Sequence, residues 1–348
     1  MRRAHFLAVL SALCLLPGAT ACAQPATSAE MPATLSWQVD AAGQDQGRVQ
    51  LQLSYHIAHN RSSYSRTIDL AQLQGLSRQA LEGGASGPVR FRLVRDAGNF
   101  DCEGAAWHGR GTGDCRFVPG AAFAAELARR GYGTPSDTDL FRLAMSDVGL
   151  DFVDELSRQG YARPALGELV DAGNHGVSGA YLKEMGGLGY RVGSLPALIR
   201  MRDHGVGADY VREMVQAGLK DLPAATLIEM RDHGVSPSYV GELRRLGYSN
   251  LPVRDLIALR DHGVGIDFAR AVREAGYAAD PAQVIQLRDH GVSGDFVREL
   301  RALGYTRLAP GEIVRLRDHG VTAAFIRQAN AGGTLRSPDE LVRLRTGG

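Results

Sequence analysis

Lysine is nearly missing from this 348-residue chain: Lys183 and Lys220 are the only two, so arginine carries almost all of the positive charge. Basic residues number 39 against 38 acidic ones, a net charge of +1. With no excess of one sign, neither nucleic acid nor an anionic bilayer is expected as a partner. Cysteine is scarce at four residues, and neither a C-x-x-C pair nor an H-E-x-x-H sequence occurs. The usual zinc frameworks and the redox dithiol are therefore not expected, and no metal or cofactor is called for. Apolar runs are short as well. The longest, Phe6 to Leu16, falls below the about 20 residues that span a membrane.

What is present begins with an export signal. Arg2 and Arg3 precede that apolar run, and small residues follow from Gly18 to Ala23, the three-part pattern of a bacterial secretory leader over residues 1–23. Ala21-Cys22-Ala23 offers a cleavage site that would release a soluble periplasmic protein. Ala19-Thr20-Ala21-Cys22 also resembles a lipobox, on which Cys22 would become a lipidated, outer-membrane-anchored terminus. The leucine usual three residues before that cysteine is absent, which favours soluble export. Residues 24–34 read as a polar linker.

Residues 35–118 alternate with period two, most strictly in Val49-Gln-Leu-Gln-Leu-Ser-Tyr55, and predict a small antiparallel β domain, a sandwich or a curved sheet. Ser63–Leu70 and Val89–Val94 read as further strands, while 70–87 is ambiguous between a short helix and a loop. The stretch 100–117 reads as a hairpin turning at His108-Gly109. Partners whose numbers sum to 217 set Phe100 opposite Phe117, Cys102 opposite Cys115 and Gly104 opposite Gly113. Like meets like at each position, so this register predicts a cross-strand disulfide, which an exported protein can keep.

From 119 to 348 the chain repeats itself. Arg-Asp-His-Gly-Val occurs five times, with histidines at His204, His233, His262, His290 and His319, and His175 marks a degenerate sixth copy. The intervals are 29, 29, 29, 28 and 29 residues. An aromatic keeps the same beat, from Phe123 and Phe152 through Tyr181, Tyr210, Tyr239, Phe268 and Phe296 to Phe325. Each unit reads as two short helices. In one, Phe296, Val297, Leu300 and Leu303 make an apolar stripe that Gly304 ends; Pro310 opens the next, with Ile313, Val314 and Leu316 buried. Helices this short need stacked neighbours to bury their faces, so the expectation is an α-solenoid of about eight two-helix units joined to the β domain, an α+β multidomain chain. The closing Leu341-Val-Arg-Leu-Arg-Thr-Gly-Gly348 replaces Asp-His by Thr-Gly, as a capping unit would.

Five Arg-Asp-His triplets invite a chemical reading. Equivalent residues on packed helices stand about 8–10 Å apart, however, and cannot converge on one ion that wants its ligands about 2 Å away. A structural role is expected instead: histidine at the helix end meets the dipole, glycine caps, and arginine pairs with aspartate between units. The six histidines His175, His204, His233, His262, His290 and His319 also form a candidate pH-responsive ladder. Arg212, Arg270, Arg298 and Arg327 share one helix position and form a candidate interaction strip, while the Gly-Tyr tyrosines should pack between units.

The sequence Leu-Arg-Asp-His-Gly-Val-Ser-Gly-Asp-Phe-Val-Arg-Glu-Leu-Arg-Ala-Leu-Gly-Tyr (287–305) resembles repeats in bacterial envelope proteins of uncharacterised function. It is also similar to the extracytoplasmic tail of antirepressor-type membrane metallopeptidases that act as sensors. Val89–Phe100 and the Gly-Arg-Gly-Thr-Gly hairpin resemble the β segment that precedes such repeats. The likeness covers about 35–348. The membrane helices and the peptidase motif are missing, so the resemblance implies envelope association and not proteolysis.

The expectation is thus a non-enzymatic exported scaffold that binds an envelope protein or peptide along its solenoid. The alternatives are a sensor of acid or divalent metal through the histidines, and a hydrolase with Asp101, Glu103 and His108 on the hairpin.

Overall fold

A computed structural model describes residues 31, 34–41, 47–57, 60–277 and 280–347; the leader and Cys22 lie outside the described residues. Seven antiparallel strands form one curled sheet: β1 (Thr34–Asp40), β2 (Arg48–Ile57), β3 (Asn60–Asp69), β4 (Leu73–Gln74), β5 (Gly87–Arg95), β6 (Gly98–Trp107) and β7 (Arg110–Pro119). Their order is β3-β2-β1-β7-β6-β5-β4, so the first strand sits at the centre beside the last. The period-two pattern explains the core: Leu35, Trp37, Val39, Val49, Leu51 and Leu53 face inward, while Gln38 and Gln52 alternate out. The ambiguous stretch holds a 3-10 turn (Leu70–Gln72), β4 and a short helix α1 (Arg78–Glu82), which Ser77 caps by accepting from the Ala80 N–H.

The hairpin has the expected register, with Phe100 opposite Phe117, Gly104 opposite Gly113, and Cys102 disulfide-bonded to Cys115. Its turn residues His108 and Gly109 both have positive φ, 49° and 81°, the twist that suits a two-residue connection. The glycines have a specific task. A β-carbon on Gly104, Gly111 or Gly113 would come within 2.8–2.9 Å of the Trp37 indole. That ring lies flush on the hairpin, donates its N–H to the Glu103 carbonyl at 3.0 Å, and meets Phe91 edge-on at 4.9 Å.

Beyond the sheet, helices come in pairs. The first members are α2 (Ala121–Arg129), α4 (Leu150–Arg158), α6 (Gly179–Gly187), α8 (Ala208–Gln216), α10 (Pro237–Arg245), α12 (Ile266–Glu274), α14 (Gly294–Ala302) and α16 (Ala323–Ala329). The second members are α3 (Asp137–Met145), α5 (Leu166–Asn174), α7 (Leu195–Asp203), α9 (Ala224–Asp232), α11 (Val253–Asp261), α13 (Pro281–Asp289), α15 (Pro310–Asp318) and α17 (Pro338–Thr346). First helices pack on first helices and second on second, which is the solenoid layering. The single 28-residue step is absorbed in a loop: Tyr277 stands three residues from the N-cap Asp280, where Tyr248 stands four from the N-cap Pro252.

Sheet and solenoid meet without a spacer, since β7 ends at Pro119 and α2 begins at Ala121. Phe141 of α3 is fully buried against Tyr55, Phe117 and Phe100, at ring-centroid distances of 5.1, 5.4 and 6.2 Å. Polar clasps surround it: Arg95 pairs with Asp147 at 2.8 Å, Asp96 accepts from the Leu150 N–H at 2.9 Å, and Arg66 donates to the Gly173 carbonyl at 3.2 Å.

Candidate functional site: the repeated Arg-Asp-His edge

Each residue of Arg-Asp-His-Gly-Val has a place at the end of a second helix. In the unit closed by His204, the Gly205 N–H bonds to the Arg202 carbonyl at 3.0 Å and the Val206 N–H to the Met201 carbonyl at 2.8 Å. This is the Schellman closure, and it requires the left-handed φ of 70° that Gly205 adopts. Val206 and Met201, both fully buried, seal it. Histidine is the C-cap itself, where a cation meets the negative end of the helix.

The side chains then reach across the stack. His175, His204 and His233 each place Nδ1 2.7 Å from an oxygen of Asp203, Asp232 and Asp261, the aspartate of the following unit. His262 and His290 do the same with Asp289 and Asp318, at 2.9 and 3.0 Å. The carboxylate accepts, so Nδ1 carries the hydrogen. At the near end Ser146 replaces the histidine and donates to Asn174, which replaces the aspartate, at 2.8 Å. At the far end His319 falls opposite Thr346, where the other units carry aspartate.

The sequence had suggested that the motif's arginine pairs with the motif's aspartate between units; among the described residues it does not. Arg202, Arg231 and Arg260 lie instead over the rings of Tyr181, Tyr210 and Tyr239 at 5.3, 5.0 and 5.0 Å, and Arg288 and Arg345 lie over Phe268 and Phe325. Arg288, Arg317 and Arg345 also donate to the carbonyls of Gly263, Gly291 and Gly320, at 2.9–3.1 Å. Aspartate is left for histidine because the flat guanidinium finds an aromatic face and an orphan helix-end carbonyl closer to hand. The tyrosine hydroxyls complete the stitching. Tyr181, Tyr210 and Tyr239 donate to the carbonyls of Val206, Val235 and Val264 at 2.9, 3.0 and 2.8 Å. Burial pushes these three phenols up to about 12, although the arginine beside each opposes the shift, so they remain neutral donors.

Electrostatically the ladder is open to solvent, with histidine side chains 39–47% exposed. Hydrogen bonding to Asp261, with weaker attraction from Asp261, Glu229 and Asp232, raises the pKa of His233. No group of three or more histidine, cysteine or acidic side chains able to hold a metal occurs among the described residues.

The arginine strip lies on the first helices and is matched by acids. Arg212 pairs with Asp209 and faces Glu184 at 3.8 Å. Arg270 pairs with Asp267 at 3.0 Å and Glu242 at 3.2 Å, Arg298 with Asp295 at 2.5 Å, and Arg327 with Glu299 at 3.1 Å. The strip therefore alternates in sign and is not a basic stripe. The Gly-Tyr tyrosines pack between units: Tyr190 donates to the Leu222 carbonyl at 2.8 Å and Tyr277 to that of Tyr305 at 2.6 Å.

Asp101 and Glu103 share a face of β6 and line one hollow, but His108 is not brought to them. Asp101 is held by Arg92 at 2.5 Å, which lowers its pKa, and Glu103 faces Arg90 at 3.5 Å. His108 sits in the hairpin turn, five residues from Glu103 and so about 16 Å along the strand. Among the described residues no helix is long and apolar enough to cross a membrane. The chain matches no protein-family model, no curated protein and no solved structure.

Sequence reasoning missed the histidine–aspartate pairing, although a signal existed. Where Ser146 stands for histidine, Asn174 stands for the aspartate 28 residues on, and the two changes occur together.

Proposed function

We propose that this is a non-enzymatic, exported scaffold of the bacterial cell envelope that binds a protein or peptide along the side of its solenoid. One observation carries the reading. The chemically suggestive residues of the repeat are consumed in stacking one unit on the next, with five histidine–aspartate pairs of 2.7–3.0 Å in register. What such a stack offers outward is an extended, periodic, charge-alternating surface, the usual working face of solenoids. The disulfide is compatible with an oxidising compartment. Periplasmic release or anchoring through Cys22 follows from the leader.

Photo-crosslinking residues placed one at a time along the first helices, the second helices and the outer sheet test this in intact cells. One protein or peptide, crosslinked from consecutive units at 29-residue spacing, is the expected result. Crosslinks confined to the sheet would overturn it.

A second reading, an envelope acid sensor, is favoured by the raised pKa of His233 and the solvent access of the ladder. It requires several histidines to titrate together with a change in solenoid dynamics. Equal melting temperatures at about pH 5.5 and 7.5, either side of the ordinary histidine value, would dismiss it.

A further inference from the structure

A hollow of about 320 Å³ opens between the first two solenoid units, lined in part by Arg130, Tyr132, Leu156, Ser157, Tyr161 and Arg163. One position of the repeat bears on it. Five residues after the beat aromatic, three of the eight units carry arginine (Arg244, Arg273 and Arg301), and the second unit carries Ser157. Where arginine stands there, it folds back along the preceding unit. Arg244 donates to the Ala217 carbonyl; Arg273 donates to that of Leu246 at 3.0 Å and lies over Tyr248 at 5.3 Å. Ser157 is too short for either contact.

The equivalent carbonyl of Arg130 is reached instead by Arg163, which comes from the loop after the helix, donates at 3.3 Å and stands 6.0 Å from the Tyr132 ring centroid. The guanidinium is thus moved to the rim, and the space that a helix-borne arginine occupies elsewhere is left open. Buried Leu156 and Val153 give the hollow apolar lining beside Tyr132 and Tyr161, and Asp154 lines it as well.

The two arginines differ in what they have left to give. Arg130 is engaged by Asp154 at 2.9 and 3.2 Å and by Glu126. Arg163 is exposed and pairs with no carboxylate among the described residues, and its one hydrogen bond leaves most of its five N–H donors unused. A guanidinium fork at the mouth of a small slot with apolar lining from Val153, Leu156, Pro164 and two tyrosines, whose one carboxylate Asp154 is already held by Arg130, is matched to a carboxylate on a flat apolar body. The volume sits at the lower end of ligand pockets, about 300–1,000 Å³, and so admits a single ring.

We propose that this hollow is a binding site for small monocyclic aromatic carboxylic acids, with Arg163 holding the carboxylate and the ring lying between Tyr132 and Tyr161. The hollow lies on the solenoid, but its test reads a small ligand and does not depend on the macromolecular partner.

The test is titration of the full chain with phenylacetate, read by isothermal calorimetry and by chemical shifts of unit-two amides. Saturable binding with a Kd of about 1 mM or tighter is expected. Arg163→Gln should weaken it about tenfold or more, and uncharged phenylacetamide should lose as much. Ser157→Arg, which installs the residue found at 244 and 273, should abolish binding with the helical circular dichroism unchanged. Absence of saturable phenylacetate binding, or affinity unaltered by both Arg163→Gln and Ser157→Arg, would overturn the proposal.

Discussion

Phe141→Ala is the sharpest test of how sheet and solenoid are joined. The ring is fully buried and touches three other rings, Tyr55 and Phe117 at 5.1 and 5.4 Å and Phe100 at 6.2 Å, all contributed by the sheet. Emptying a buried phenylalanine site costs about 3–5 kcal/mol, and each edge-to-face pair contributes about 0.5–1.5 kcal/mol beyond the area it buries. These terms overlap, which places the cost near about 4 kcal/mol, and it falls on the sheet because its three partners lie there. The assay exploits the position of both tryptophans, Trp37 and Trp107, on sheet strands, so that indole fluorescence reports the sheet while far-UV circular dichroism reports the helices. With a urea slope of about 2–3 kcal/mol/M, the fluorescence midpoint should fall by roughly 1.3–2 M and separate from the helical transition. Phe141→Leu, which keeps most of the volume, should cost about 1 kcal/mol. A fluorescence midpoint unmoved by Phe141→Ala would refute the joint as described.

Tyr239→Phe removes the donor to the Val264 carbonyl and should destabilise by about 1 kcal/mol in a denaturant titration, whereas Phe268→Tyr, at the same position one unit on, should not. Asp261→Asn removes the partner that raises the His233 pKa, so an NMR titration should show that pKa falling toward its ordinary value. Because the folded-state pKa of His233 is raised, its stabilisation is complete below the unfolded value of about 6.5 and disappears as pH climbs through the folded one. This histidine therefore favours the folded chain in acid, and a melting curve whose stability rises on going from acid to neutral pH in the parent, and not in Asp261→Asn, would contradict that sign. Replacing Cys102 and Cys115 together by alanine opens a bridge with a sequence separation of 13, and should lower the urea midpoint by an amount equivalent to about 2–3 kcal/mol.

Much of the architecture could be read from the sequence because it is periodic. Helix ends are marked by glycine, starts by proline, and the buried stripe by the aromatic beat; the hairpin register follows from pairing like with like across His108-Gly109. What escaped was non-periodic or cross-unit. The two-residue β4 is too short to show alternation. The roles of arginine and aspartate in the repeat depend on which neighbour lies across the stack, and local spacing does not reveal that. The hollow beside Ser157 depends on contacts between units, and what a longer side chain would fill there is visible only from Arg244 and Arg273. Of the three polar residues of the hairpin, strand geometry keeps Asp101 and Glu103 on one face and sets His108 far from Glu103.

Within the solenoid, helices rest on the corresponding helices of the unit before and the unit after. Load applied between the ends therefore passes through one interface at a time, in series. Pulled from its far end, the chain should yield unit by unit, each release freeing 29 residues and about 100 Å of contour length. The sheet hairpin, closed covalently at Cys102–Cys115, would hold longest. Held at both ends, the chain would then lengthen at a nearly constant force, step by step, rather than stiffen as it is drawn out.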